Sequence, residues 1–187
     1  MVQDISARKH LEVRLAHDAR HDALTGLPNR LLFHDRLQQV LASAQRQGQP
    51  CCVLYVDLDG FKGINDAHGH AAGDQLLWQA ARRMQDCVRG EDTVARFGGD
   101  EFGIVLAHIA QSRDGQLVGE KILQALAQPF TLDAAQVCIS ASVGAALYPA
   151  HGDDQAQLLA QADGAMYCAK HGGKNRFCWA QPPSNAD

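Results

Sequence analysis

The residues of this sequence best suited to chemistry are two pairs of acids, Asp57 with Asp59 and Asp100 with Glu101. The first pair ends a run of apolar and β-branched residues, CCVLYVDL, and the second follows two glycines in RFGGDEF. A carboxylate among apolar neighbours needs a partner, and for Asp57 a divalent cation is the obvious one. If the two segments are neighbours in a sheet, the carboxylates converge and repel one another unless metal is present. Hard oxygen ligands favour Mg²⁺ or Mn²⁺, and Mg²⁺ is commonly shared with substrate phosphates.

Plainer explanations compete with this one. Asp59 can be a ligand or only cap a turn, and a glycine pair can form a plain hairpin turn. Lys62, Lys170 and Lys174 are each typical of a solvated surface. Beside an acid cluster, however, the three lysines would supply point charges for phosphate groups.

The elements that must position these residues alternate between strands and helices. Residues 51–58 lack polar alternation, which predicts a strand buried on both faces in the middle of a sheet. The two glycines between residues 93–97 and 101–106 predict a hairpin, because glycine supplies the positive φ angles of a tight turn. Residues 60–72, rich in Gly, Asp and His, are predicted as a loop. The other predicted elements are helices at about 4–20, 33–44, 73–88, 113–128 and 155–170, and strands at about 137–143 and 176–179. The fold class is therefore α/β, with one mixed central sheet flanked by helices.

Composition excludes several functional classes. The 187 residues are enough for one domain with a core, and a net charge of −4 argues against nucleic-acid binding. No apolar run is long enough to span a bilayer, so no membrane contact is expected of this segment, and the N-terminus is no signal peptide. The six cysteines form no C-x-x-C pair and are predicted to be small buried hydrophobes in a reducing cytoplasm.

Five segments in order resemble the signatures of the GGDEF domain, the diguanylate cyclase family. The resemblance covers about residues 22–177 and implies the palm-like fold of polymerases and nucleotidyl cyclases. It also implies the condensation of two GTP to cyclic di-GMP with release of two pyrophosphates, a bacterial second-messenger reaction. The segments are DALTGLPNR (22–30), DLDGFKGINDAHGHAAGD (57–74), RFGGDEF (96–102), SVGAALYP (142–149) and ADGAMYCAKHGGKNR (162–176).

The resemblance implies roles for individual residues. Asp57, the backbone carbonyl of Leu58 and Asp100 match the family's metal ligands, for two Mg²⁺ or Mn²⁺ ions per active site. Asp100 or Glu101 would accept the proton of the attacking 3′-hydroxyl, and the sequence leaves that choice open. Lys62 matches a position that holds phosphates and is counted among the catalytic residues.

Further residues match substrate positions. Lys170 and Lys174 match positions that hold phosphates, and Lys174 stands where the family often has arginine, which weakens bidentate clamping. Asn65 and Asp74 match the guanine readers, although Asp74 also suits a helix N-terminus. His70 is expected to shape this part of the GTP site.

Regulation and assembly follow from the same resemblance. One domain holds one GTP, so two phosphodiester bonds require a second domain, and a two-fold homodimer is expected. Arg89 and Asp92, in RGED, match an inhibitory site for cyclic di-GMP, although R-x-x-D alone usually forms a helix-end salt bridge.

The predicted domain organisation is a connector helix at 1–20, a cyclase domain at 21–180 and a tail at 181–187. The two ends resemble connectors to a PAS sensor domain and to an EAL phosphodiesterase domain, which predicts a piece of a longer signalling protein. A catalytically silent module that binds GTP or cyclic di-GMP is the alternative function. The intact signature acids favour the enzyme, and a purely structural dimerisation unit would leave them unexplained.

Overall fold

A computed structural model describes residues 19–133 and 135–181. Its main sheet has five strands in the order β2-β3-β1-β6-β7, and a separate small hairpin is formed by β4 and β5. All pairings in the main sheet are antiparallel except that of β6 with β7, so the sheet is mixed, as predicted. The strands are β1 (Cys51–Asp59), β2 (Thr93–Gly98), β3 (Glu101–Leu106), β4 (Phe130–Leu132), β5 (Ala135–Val137), β6 (Ser140–Tyr148) and β7 (Arg176–Trp179).

Within the described residues, five helices cover the two faces of this sheet. They are α1 (Arg30–Gln47), α2 (Phe61–His68), α3 (His70–Gln85), α4 (Ser112–Leu126) and α5 (Gln155–His171). Apolar residues of α1 and α5 form a core on one face, and those of α3 and α4 form a second core on the other. This arrangement is the predicted sheet with helices packed on both sides.

Strand β1 lies in the middle of the sheet and contributes to both cores. All nine of its residues are buried. Leu54 and Val56 belong to the core under α3 and α4, whereas Val53 and Tyr55 belong to the core under α1 and α5. Because successive side chains point to opposite faces, a strand covered on both sides has no polar alternation.

Helix α5 approaches strand β6 closely enough to require glycine. A methyl group added at Gly144 would collide with the backbone of α5 at Ala162 and Met166. Since a backbone cannot turn aside as a flexible side chain can, this contact sets the separation of helix and sheet.

Several sequence predictions about the elements were wrong. The segment predicted as a loop before residue 73 contains helix α2, and α3 begins at His70 and ends at Gln85. The strand predicted at 137–143 is β6, which begins at Ser140 and runs further, and the β4–β5 hairpin was not predicted.

Helix α2 escaped prediction because it has no buried residue, so its sequence shows no core stripe. The helix is flanked instead by two glycines with positive φ angles, Gly60 at 79° and Gly69 at 87°.

The cysteines divide into different environments. Cys51, Cys52 and Cys87 are buried as predicted, but Cys178 is half-buried and Cys138 and Cys168 are exposed. Cys138 lies in the connection between β5 and β6, and Cys168 lies on the outer side of α5. At both positions the side chain is exposed although its neighbours in the sequence are apolar.

Two further predictions involve residues at the ends of the chain. The connector helix at 1–20 falls almost wholly outside the described residues, as does the tail at 181–187. In the part of the chain that the structure describes, no helix is long and apolar enough to cross a membrane.

Candidate active site

The two acid pairs meet at the end of the central strand. In the antiparallel pairing of β1 with β3, Asp57 lies opposite Glu101. The backbone N–H of Leu58 donates to the carbonyl oxygen of Asp100 at 3.2 Å. The hairpin strand therefore neighbours the strand of Asp57, which is the condition under which the sequence predicted that the carboxylates converge.

The tip of the β2–β3 hairpin is held in place by an arginine. Gly98 and Gly99 have φ angles of 131° and 52°, as the sequence predicted for this turn. The Arg96 guanidinium donates from Nε and Nη2 to the carbonyl oxygen of Gly99, at 3.1 and 2.9 Å. Its Nη1 donates to both carboxylate oxygens of Asp22, at 3.1 and 2.9 Å. Asp22 also accepts from the backbone N–H and hydroxyl of Thr25, at 2.9 and 2.6 Å.

This set of contacts, the Asp22–Arg96 clamp, was not predicted. It joins the DALT segment to the turn that presents Asp100. Both residues stand in segments that the sequence singled out, but nothing in their spacing along the chain indicates that they meet.

Asp57 is a buried carboxylate whose one cationic partner among the described residues is Lys170. Its residue surface is 4% exposed, and Lys170 Nζ lies 2.7 Å from Oδ2. The pKa of Asp57 is raised to about 6, because burial, together with the charges of Asp100 and Glu101, outweighs the hydrogen bond and the charge of Lys170. For Lys170, burial opposes the ammonium charge, but the hydrogen bond to Asp57 and the surrounding acids outweigh it and raise the pKa. Asp57 is thus placed where additional positive charge would be stabilised.

Asp100 and Glu101 face different surroundings. Glu101 Oε2 accepts from the Tyr55 hydroxyl at 3.4 Å and lies 3.9 Å from Arg30 Nη2. No hydrogen bond or ion pair engages the Asp100 carboxylate within residues 19–133 and 135–181. Of the two acids at the tip, Asp100 is the one whose carboxylate oxygens are free of partners among the described side chains.

Asp59 plays a different part from Asp57. It is 8% exposed and accepts from the hydroxyls of Ser140 and Ser142, at 2.7 and 2.8 Å. It also accepts from the backbone N–H of Asn175 at 3.2 Å. Of the two roles left open by the sequence, the structure shows the turn contact.

The three candidate phosphate residues come from two parts of the chain. Lys62 is exposed in the first turn of α2, directly after β1. Lys170 lies at the end of α5 against Asp57, and Lys174 is exposed in the turn that leads to β7. Lys170 is therefore in direct contact with the acid cluster, and the other two lysines are on segments adjoining it.

The candidate base readers lie on the helix pair α2–α3. The Oδ1 atom of Asn65 is buried and has no hydrogen-bond partner among the described residues. It packs against Gly73, where an added methyl group would collide with it. Asp74 follows on α3 and lines an apolar cavity of about 430 Å³ together with Leu24 and Trp78. His70 is exposed at the first residue of α3.

The RGED segment lies at another cavity, of about 420 Å³. The Asp92 carboxylate accepts from the backbone N–H groups of Arg89 and Ala107, at 2.9 and 3.0 Å. The Arg89 guanidinium is 3.9 Å from Glu91 instead. The two side chains of the motif therefore form no salt bridge with each other, and the cavity wall also carries Lys121.

The residues present suit hard divalent cations. Within the described ranges, no three His, Cys, Asp or Glu side chains group to hold a metal ion. The predicted donors are two carboxylates and one backbone carbonyl, and Mg²⁺ commonly takes one or two carboxylates and completes its shell with water and substrate phosphates. The Asp100 carboxylate, which has no partner among the described side chains, and the raised pKa of the neighbouring Asp57 fit such a donor set.

Solved structures of known proteins share this architecture. The GGDEF domain of TpbB (YfiN) from Pseudomonas aeruginosa superposes with a TM-score of 0.85 and 42% identity, over 86% of this chain and 94% of that chain. The coiled-coil and GGDEF domain of DgcB from Caulobacter crescentus, solved in complex with c-di-GMP, has a TM-score of 0.84 and 30% identity, over 96% and 94%. The fold is therefore the palm-like fold of nucleotidyl cyclases, as predicted.

The sequence comparison assigns the family. The family described as "Diguanylate cyclase, GGDEF domain" matches residues 19–176, so the chain belongs to the GGDEF-domain family. A curated relative, the bifunctional diguanylate cyclase/cyclic di-GMP phosphodiesterase MucR of P. aeruginosa, is 45% identical over 90% of this chain. The chain spans 24% of the length of MucR and 36% of the length of the diguanylate cyclase TpbB.

Proposed function

We propose that this domain is a diguanylate cyclase that condenses two GTP molecules to cyclic di-GMP and two pyrophosphates. The observation that carries the proposal is the buried Asp57 carboxylate, 2.7 Å from Lys170 and opposite the acids of the hairpin tip. A carboxylate cluster with an adjoining cation is suited to a polyphosphate held through metal ions.

Asp57, the Leu58 carbonyl and Asp100 would hold two Mg²⁺ or Mn²⁺ ions. When bound, the ions would neutralise phosphate charge and lower the pKa of the attacking hydroxyl. Lys62, Lys170 and Lys174 would hold the phosphates.

The chemistry is the same step performed twice. A 3′-hydroxyl oxygen bonds to the α-phosphorus of the other GTP, the bond from that phosphorus to the bridging oxygen of pyrophosphate breaks, and the hydroxyl proton passes to a carboxylate. Asp100 and Glu101 are the candidate acceptors. Because each domain holds one GTP, the reaction requires two domains with their sites facing each other.

Guanine would be read by Asn65 and Asp74. A carboxylate accepts from the N1–H and the exocyclic amine of guanine, whereas adenine presents a lone pair at N1 and would be rejected. The buried Oδ1 of Asn65, which lacks a donor among the described residues, supports this assignment. His70 would border the same site from the start of α3.

The test of the proposal is turnover of GTP with Mg²⁺, followed by chromatography of the nucleotide product. We expect the parent to form cyclic di-GMP and Asp100→Asn to form none. Asp153→Asn, which removes an exposed acid outside the site, should retain activity. The rate per protomer should rise with protein concentration, because the active species is a dimer.

The alternative is a module that binds GTP or cyclic di-GMP without turnover and regulates a neighbouring domain. The name of one relative supports this alternative: PdeR of Escherichia coli, 38% identical over 97% of this chain, is named a cyclic di-GMP phosphodiesterase and not a cyclase. Nucleotide binding by folded protein without GTP consumption, up to concentrations at which dimers form, would favour the module.

Arg89 and Asp92 would bind the product and inhibit the enzyme. In support, Arg89 extends beside a cavity that also carries Lys121, and its guanidinium pairs only loosely with Glu91. Arg89→Ala should leave initial turnover unchanged and relieve inhibition by added cyclic di-GMP. An inhibition curve equal to that of the parent would assign RGED a structural role.

We further propose that the domain works within a longer cytoplasmic signalling protein. Residues 1–20 would connect it to a sensor domain, residues 21–180 would form the cyclase, and residues 181–187 would lead to an EAL domain. The small share of MucR and TpbB that the chain spans supports a place within a longer protein.

A further inference from the structure

The contacts of Asp59 point to a role that neither the family assignment nor the proposed chemistry gives it. We propose that Asp59 is a positioning residue, which fixes the turn carrying Lys174 so that this lysine faces the phosphates of GTP. The inference rests on the proposed function, because it assumes that the site binds a nucleoside triphosphate.

The carboxylate of Asp59 joins three parts of the chain. Its own strand, β1, ends at this residue. Oδ1 accepts from Ser142 and Oδ2 accepts from Ser140, which fastens it to the start of β6. Oδ2 also accepts from the backbone N–H of Asn175, in the turn between α5 and β7. Both carboxylate oxygens accept hydrogen bonds from the protein, and only 8% of the surface of Asp59 is exposed. Asp59 therefore has a structural role and is not placed to bind a ligand.

The turn that Asp59 contacts has an unfavourable backbone conformation, which other contacts must stabilise. Lys174 and Asn175 have φ angles of 62° and 46°, the left-handed region that residues other than glycine seldom adopt. Two such residues in succession are costly, and they persist where surrounding contacts determine the conformation. The contacts here are the bond from Asn175 to Asp59, that from the Lys174 N–H to the Ala169 carbonyl at 3.0 Å, and that from Arg176 Nε to the Lys174 carbonyl at 3.2 Å. Of these, the bond to Asp59 is the one that ties the turn to the strand carrying Asp57.

The position of Lys174 follows from this geometry. It directly precedes the residue bonded to Asp59, and it lies four residues after Lys170, whose ammonium touches Asp57. Asp59 thus fixes the turn from the same strand end that presents Asp57. Without Asp59, the turn could relax toward commoner angles and carry the Lys174 ammonium away from the phosphates.

The proposal can be tested by the direction in which affinity for the phosphate-bearing ligand changes when Asp59 is replaced. Removing a negative charge beside a phosphate site should by itself strengthen binding of the anion. If Asp59 acts by positioning Lys174, removing it should weaken binding instead. The two explanations therefore predict opposite changes in affinity.

The experiment measures equilibrium binding of a GTP analogue whose α–β bridging oxygen is replaced by a methylene group, so that no pyrophosphate leaves. Binding of guanosine, which keeps the base and lacks all phosphates, is measured by competition. For Asp59→Ala we expect about tenfold weaker binding of the analogue and unchanged binding of guanosine. In a Lys174→Ala background, Asp59→Ala should cause no further loss, because both changes remove the same contact.

Other results would overturn the inference. Analogue binding that is unchanged or tighter, losses that add in the double variant, or equal weakening of analogue and guanosine would each exclude a positioning role. If Asp59→Ala does not fold, Asp59→Asn serves, with about threefold weakening expected because one acceptor oxygen remains; unchanged affinity there would also refute it. A parent that binds no analogue would overturn the proposed function itself. A parent that binds the analogue, with an Asp59→Ala variant that binds it equally well, would overturn only the positioning role of Asp59.

Discussion

The Asp22–Arg96 clamp gives a quantitative prediction about how the hairpin tip is held. Asp22→Asn replaces a carboxylate that accepts four hydrogen bonds by an amide, whose N–H₂ would confront either Arg96 or Thr25. The side chains of Arg96 and Asp22 are 12% and 20% exposed. The clamp therefore lies between a buried pair, where loss of one partner costs about 3–5 kcal/mol, and a surface pair, worth about 0–1 kcal/mol. We expect Asp22→Asn to reduce the free energy of unfolding by about 2–3 kcal/mol.

The pair of Arg20 and Asp35 provides a matched control. Its two side chains are 53% and 46% exposed and lie 3.5 Å apart. Asp35→Asn should change the free energy of unfolding by no more than about 0.5 kcal/mol. Both variants lose one carboxylate, so the comparison isolates the effect of burial and hydrogen bonding.

The assay is urea unfolding at pH 7, extended to the double variant with Arg96→Met. Because the two residues are in contact, the cycle should give a coupling energy of about 1–2 kcal/mol. A cost for Asp22→Asn no greater than that for Asp35→Asn, or a coupling below about 0.5 kcal/mol, would refute the clamp as a stabilising contact.

The pH dependence provides a second measure of the same clamp. Burial opposes the charge of Asp22, but the hydrogen bonds from Thr25 and the ion pair with Arg96 outweigh it, so its pKa is lowered. A lowered folded-state pKa contributes stability that is complete above the unfolded pKa, about 3.9, and is lost as the pH falls through the folded value. The difference between parent and Asp22→Asn should therefore be constant above about pH 5 and shrink toward about pH 2. A difference that grows on acidification would contradict this assignment.

Three further predictions concern separate features. Gly144→Ala should lower the free energy of unfolding by about 2–3 kcal/mol, because the added methyl group meets the backbone of α5. Gly164→Ala, which adds a methyl group in open space within α5, should raise it by about 0.5–1 kcal/mol. Equal effects of the two changes in urea titrations would exclude the close approach at Gly144. Cys138 and Cys168 should react with an aromatic disulfide reagent in the native state and the three buried cysteines only on unfolding, which mass spectrometry of the labelled peptides would check. Asp74→Ala should reduce the preference for GTP over ATP at least about tenfold in competition binding, and unchanged selectivity would remove Asp74 from the base site.

The main sheet could be predicted from sequence because its signals are local. The unbroken apolar run of β1 indicates a central strand, and Gly98 with Gly99 indicates the hairpin turn. If β1 and the hairpin strand are assumed to pair in the sheet, Asp57 must lie near the acids at the hairpin tip. The convergence of the acids therefore followed from two short segments.

The missed features depend on contacts between distant residues. Helix α2 buries none of its side chains, and β4 and β5 have only three residues each, too few to show a period. The Asp22–Arg96 clamp spans 74 residues, and the contact of Asp57 with Lys170 joins a strand to a helix more than a hundred residues later. Composition and periodicity carry no information about such pairs, whereas the family resemblance named Lys170 without giving its partner.

The two-sided burial of β1 has a consequence for how the domain tolerates change. Val53, Tyr55 and Asp57 share one face, while Leu54 and Val56 share the other. Loss or gain of one residue within the strand would exchange these faces, so that a carboxylate would enter one core as apolar side chains left it. Single-residue insertions and deletions in β1 should therefore abolish folding and not merely activity. In evolution, the coding segment for this strand should accept substitutions but very few changes of length. Selection for folding alone would therefore keep Asp57 in its position, without any selection on catalysis.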